Sequence, residues 1–147
     1  MKEVAVVWCF YKNFMQYWLV KTEPETYSWN QLQKEGKTEW TGVRSYEARN
    51  NMKKMQKGDL VFIYHSGKEK QIVGIGKVIS PAHVDSTDDT GVWESVDIAP
   101  VRELLKKVSL NEVKLISVCK NMVLLRKSRL SVQPVTEKEW EAIVQEI

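Results

Sequence analysis

Residues 40–66 read WTGVRSYEARNNMKKMQKGDLVFIYHS, and the hydrophobic period changes partway along. Placed at about 100° per residue, Ala48, Met52 and Met55 share one face, while Tyr46, Arg49, Asn50 and Lys53 share roughly the opposite one. The spacing predicts a helix over 44–55 that is apolar on one side and basic, aromatic and amide-bearing on the other. Gly58-Asp59 then reads as a turn. The continuous apolar run 60–64 behind it reads as a strand covered on both faces. A strand buried on both sides requires a layered or closed sheet, so this stretch decides the fold class.

Toward the N-terminus, residues 16–20 are β-rich and lead into Thr22-Glu23-Pro24-Glu25, where Pro24 marks a turn. Ser28 with Gln31 is a capping pattern for a short helix to about residue 34, ended by Gly36. Toward the C-terminus, 72–79 reads as a strand whose Gly74 and Gly76 share a face, so something must approach that face closely. A strand is predicted over 92–98 with Pro100 as its limit, and 122–125 is also strand-like. Ser109 with Glu112 and Thr136 with Glu139 cap two further helices, the last presenting Trp140, Ile143, Val144 and Ile147 as a core stripe. Short strands interrupted by short capped helices predict an α+β domain, with a closed or nearly closed sheet and helices around it. Residues 1–14 stand apart, because the run from Val4 to Tyr11 is apolar without a cleavage site after it and far shorter than the roughly 20 residues that span a bilayer. They are expected to be an extra strand or an upstream-extended start ahead of Met15, and no membrane association is expected.

Composition narrows the function. The chain has 147 residues, 43% hydrophobic and 28% charged, with six Trp and a formal charge of +3, which fits one compact domain and permits a phosphate-bearing partner without requiring one. The charge is polarised along the chain: residues 44–57 carry five basic groups against Glu47 alone, whereas 81–100 carry five acidic groups and no Lys or Arg. Cys9 and Cys119 fit neither a disulfide framework nor a zinc pattern, and His65 and His83 lack clustered co-ligands, so no metal and no cofactor are expected. Gly74-Ile75-Gly76 lies inside a strand, and no nucleophile turn accompanies His65, which reads more simply as a hydrogen-bonded structural histidine at a strand end. Enzyme chemistry is the minority reading. Binding has better support, since cations for phosphate and aromatic faces for bases occur together, with Trp40, Tyr46 and Trp93 as the candidate platform. The bland alternative is that each Trp fills the core and that Lys53, Lys54 and Lys57 are a solvated helix end.

Three separated segments, YWLVKTEPETYSW at 17–29, the stretch at 40–66, and SRLSVQPVTEKEW at 128–140, together resemble the EVE domain of the PUA superfamily, from about Met15 to the C-terminus. The resemblance implies a PUA-like β-barrel core and a nucleic-acid-binding, non-enzymatic, cytoplasmic protein that takes a modified cytosine of DNA into a pocket by base flipping. It assigns stacking to Trp40 and Tyr46, the pocket rim to Trp18, Lys21 and Glu23, polar contacts to Arg44, Asn50 and Ser66, and backbone phosphates to Arg49, Lys53 and Arg129. DNA is favoured over RNA. The alternatives are an RNA-binding module, separable through 2′-hydroxyl contacts, and a nucleotide-binding enzyme component. The family usually has Asn after the arginine and Gln two positions later, where this chain has Ser45 and Glu47. The extra carboxylate is expected to alter base preference.

Overall fold

The computed structural model describes residues 15–147, so the expectation for residues 1–14 lies outside the described residues. Strand β1 (Tyr17–Thr22) is followed by helix α1 (Trp29–Glu35), the short β2 (Thr38–Glu39), helix α2 (Tyr46–Lys53) and β3 (Leu60–His65). The long strands β4 (Gln71–Val84) and β5 (Glu94–Ser109) come next, then α3 (Leu110–Leu115), a 3-10 turn at Ser117–Cys119, α4 (Val123–Arg126), β6 (Val132–Val135) and α5 (Glu137–Gln145). The six strands form one mixed sheet in the order β2-β5-β4-β3-β1-β6, with β1 and β3 parallel and the other pairs antiparallel. The α+β, PUA-like class holds, but among the described residues the sheet is not closed into a barrel: β2 and β6 end the ladder and do not pair with each other.

The alternation along β1 and β3 builds two cores. Trp18, Val20, Val61 and Ile63 face one way, against Trp29 and Leu32 of α1 and Ala48 and Met52 of α2. Tyr17, Leu19, Phe62 and Tyr64 face the other, against Val113, Leu124, Trp140 and Ile143. Both faces of β3 are thus buried, as its unbroken apolar run requires. Trp140 stacks on Phe62, ring centroids 3.7 Å apart, and on Tyr17 at 4.7 Å. The close approach inferred at the glycines is also present: a Cβ on Gly74 would lie 2.5 Å from the Trp29 ring, and one on Gly76 would lie 2.8 Å from Ile98 Cγ2.

Several element boundaries differ from expectation. The run expected as a strand at 122–125 instead enters helix α4 (Val123–Arg126) behind Met122, since Leu125 N–H donates to the Met122 carbonyl and Lys127 N–H to that of Val123; a four-residue apolar run has no period long enough to separate a buried turn of helix from a strand. Strand β5 passes straight through Pro100 instead of ending there, because the ladder is out of step between Ile75 and Gly76, and Pro100 opposes Gly76 at that bulge where no donor is needed. Strand β4 likewise runs on to Val84. Helix α2 is shorter than its pattern, starting after Ser45, whose hydroxyl accepts the Ala48 N–H.

Candidate nucleic-acid interface

The loop 40–44 between β2 and α2 is held on the sheet by backbone and carboxylate contacts. Trp40 N–H donates to the Val96 carbonyl at 2.8 Å, and Gly42, at φ 84°, turns its N–H onto Asp85 Oδ2 at 2.9 Å. Arg44 Nη1 donates to the same oxygen at 3.0 Å and Nη2 to Thr87 Oγ1 at 3.2 Å. Asp85 Oδ1 accepts the N–H and hydroxyl of Thr87 at 2.7 and 2.6 Å, so this 0%-exposed carboxylate has both oxygens filled. Burial alone would raise its pKa; the bonds from Thr87, Gly42 and Arg44 outweigh burial and hold it well below the usual carboxylate range.

Beside Asp85, burial pushes the Glu39 pKa up, but the bonds it accepts from Ser86 N–H at 2.9 Å, the Ser86 hydroxyl and the Ser95 hydroxyl at 2.6 Å together outweigh burial and lower it. His83 lies between Asp97, 3.0 Å from its Nε2, and Glu39, 3.9 Å from its Nδ1. Burial disfavours the charged ring, but the bond to Asp97 and the two carboxylates win and its pKa is raised.

This loop walls a cavity of about 390 Å³. Trp40 and Tyr27 supply its aromatic surface, ring centroids 6.0 Å apart and nearly perpendicular, while Lys21, Thr22, Arg44 and Ser131 supply polar groups. The Tyr27 hydroxyl is pushed up to about 12 by burial and by its bond to Glu35, so it stays a neutral donor. Lys21 is half-buried, its Nζ donating to the Ser128 carbonyl at 2.7 Å, and burial lowers its pKa.

Of the residues named from sequence, Lys21, Trp40 and Arg44 meet at this cavity. A second group assembles outside it: Tyr46 and Trp93 lie 5.0 Å apart, with the Arg49 guanidinium 5.0 Å from the Tyr46 ring and that of Arg44 5.8 Å from Trp93. Asn50 accepts from Arg49 in this group, and Lys53 is paired with Glu94 at 3.5 Å. Trp40 and Tyr46, expected on one platform, therefore sit at separate places. Tyr46 is 62% exposed and Trp40 7%.

Trp18 is not at a rim; its indole N–H donates to the buried Asp59 at 2.9 Å and its ring belongs to the core. Glu23 closes a turn through its carbonyl, accepting the N–H groups of Thr26 and Tyr27. Ser66 lines a smaller cavity of about 200 Å³ that shares Lys21, and Arg129 lines another of about 370 Å³ with Ser45 and Glu47. His65 accepts the Trp29 N–H at Nε2 and faces Glu69 with Nδ1, which makes it the structural histidine its position suggests.

Sequence reasoning missed Tyr27, Glu39 and Asp85. Tyr27 sits inside the motif at 17–29, but its place in the turn gave no sign of a cavity. Asp85 reaches the loop from just past the end of β4, and Glu39, although next to the loop, finds its partners Ser86 and Ser95 far along the chain. Among the described residues no group of His, Cys, Asp and Glu could hold a metal ion, and no helix is long and apolar enough to cross a membrane.

A family model described as EVE domain matches residues 16–146. Human thymocyte nuclear protein 1 is 33% identical over an alignment covering 90% of this chain and 74% of its own. A crystal structure of an Agrobacterium tumefaciens protein superposes with TM-score 0.85 at 44% identity, covering 88% of this chain and 92% of that one. That of the human THYN1 protein in complex with 5-methylcytosine containing DNA superposes with TM-score 0.84 at 31% identity, covering 89% and 96%.

Proposed function

The chain belongs to the EVE domain family, and from that membership we propose that it binds nucleic acid, favouring DNA, and takes a single base, a modified cytosine, into the cavity beside Trp40. The observation that carries this reading is the cavity itself: about 390 Å³, with aromatic rings and the polar groups of Lys21, Thr22 and Arg44 in one wall. Flipping a base costs a few kcal/mol of unstacking and pairing. Stacking on an aromatic ring returns about 1–3 kcal/mol, and hydrogen bonds to the base's polar edge add to it. The human relative crystallised with 5-methylcytosine containing DNA supports the choice of ligand. Tyr46, Trp93 and Arg49 then receive the strand outside the cavity, with Asn50 within the same group and Ser66 in the cavity that shares Lys21. Lys53 and Arg129 join Arg49 as contacts to backbone phosphates. Glu47 lends a negative charge near this site and shifts its base preference away from that of relatives with an amide. No covalent step is assigned to any residue, and the protein works where its nucleic acid is: the cytoplasm of a bacterial cell, or the nucleus of a eukaryotic one.

Replacing Trp40 with Ala tests the assignment. The variant is expected to bind a modified oligonucleotide about tenfold more weakly, from one lost base stack, and to lose its preference for the modified base. The Arg49→Ala variant should keep the preference and lose about 0.9 from the slope of log K against log salt. A Trp40→Ala protein that discriminates as well as the parent contradicts the cavity assignment. Tight, salt-insensitive binding of a free modified nucleoside would instead favour a small-molecule site.

A further inference from the structure

The charges of the molecule are unevenly answered. On the side of α2, Arg44 has Asp85 and Lys53 has Glu94. The acidic stretch 81–100 thus folds back onto the basic helix and neutralises part of it. Among the described residues the loop leaving α4 is answered at Lys127 alone. Arg126, Lys127 and Arg129 line a cavity of about 370 Å³, and Glu47 is its one lining carboxylate among the described residues. Arg126 spends, among the described residues, only its Nε, on the Asn121 carbonyl at 2.8 Å, which leaves both terminal amino groups for another ligand. Among the described residues Arg129 has no hydrogen-bonding or ionic partner. Lys127 is paired with Glu47, both side chains about half exposed.

We propose that this loop is a second, phosphate-binding site, taking a phosphodiester of the strand whose base enters the first cavity, and that Glu47 latches it shut by occupying Lys127 until a phosphate displaces it. The proposal rests on the nucleic-acid reading above. The two cavities adjoin: Arg44 lines one and Ser45 the other, and likewise Ser131 and Leu130. A strand with a base in the first therefore has a neighbouring phosphate near the second. An exposed ion pair holds its partners by only about two- to fivefold. A phosphate that also takes two-pronged bonds from arginine readily outcompetes it.

The test is a double-mutant cycle in DNA affinity, using one duplex bearing 5-methylcytosine and a series of salt concentrations. Glu47→Gln is expected to bind about two- to fivefold more tightly with an unchanged salt slope, since the same phosphate is neutralised in both complexes. Lys127→Ala should bind more weakly, and Glu47→Gln should add nothing in its background. The Arg126→Ala/Arg129→Ala variant should lose about 0.9 of slope per contact removed. An equal gain from Glu47→Gln with and without Lys127 overturns the latch, and an unchanged slope in the double arginine variant overturns the site. A second arm titrates inorganic phosphate against the wild type, reading the amide NMR signals of residues 126–129. Shifts there without DNA binding would leave a free-phosphate site standing and remove only the nucleic-acid reading, whereas neither DNA binding nor shifts would remove both.

Discussion

Asp85 shows how much of the loop at 40–44 depends on one side chain. Both its oxygens accept two donors each, so an amide in its place must turn its NH₂ toward either Thr87 or the pair Gly42 and Arg44. Asp85→Asn is therefore expected to lower stability by about 1–3 kcal/mol, read as a lower urea midpoint with an unchanged denaturant slope. Because the folded-state pKa of Asp85 lies below its unfolded value of 3.8, and that of Glu39 below 4.5, their contribution is complete above those values and is lost as pH falls below them. His83 runs the other way. Its folded pKa is raised above 6.5, so its contribution is complete at lower pH and fades as pH rises through the folded value. Urea unfolding across pH should show stability falling as pH drops below the ordinary values of 4.5 for Glu39 and 3.8 for Asp85, and a smaller decline as pH rises above 6.5 that His83→Gln abolishes. The contacts of Asp85 with Arg44 and of Glu39 with Ser95 were not legible in the sequence, because they join residues 41 and 56 positions apart. The acidic run at 81–100 was visible only as polarised charge, and what it pairs with depends on the sheet.

At the scale of elements, legibility followed the length of the pattern. Helix α2 and strand β3 carry eight and six residues of consistent periodicity, and each forms with the predicted face inward. The glycine pair in β4 announced a close approach, and the Trp29 ring and Ile98 make it. A Cβ at Gly74 meets the Trp29 ring, which is already packed in the core and whose residue is tied to His65 through its backbone N–H, so Gly74→Ala should cost about 1–3 kcal/mol by overpacking, measured as a drop in thermal midpoint. An unshifted midpoint would mean that α1 is free to move off the sheet. Residues 122–125 misled because four residues fit either period. Pro100 misled because a proline ends a regular ladder but not one already broken by a bulge. The split between Trp40 and Tyr46 has a similar origin: six positions separate them, but the loop turns at Gly42 and sends the two rings to different sides of Arg44.

Taken whole, the molecule is a sheet with helices on both faces, its β1–β3 parallel pair at the centre of the core. The cavity proposed to take the base opens where β1, the turn after it and the loop from β2 to α2 come together. The class of fold was legible from the doubly buried strand and the capped helices. Whether the sheet closes was not, since closure depends on which edge strands pair. The account makes recognition of a modified base depend on the cavity at Trp40, with phosphate contacts outside it. The most direct test is an anisotropy titration of the wild-type protein with otherwise identical oligonucleotides carrying plain, methylated or hydroxymethylated cytosine, each as DNA and as RNA, at two salt concentrations. The account predicts salt-sensitive binding to DNA with tighter binding when the cytosine is modified; equal affinity for plain and modified DNA, or stronger binding to the RNA, would contradict it.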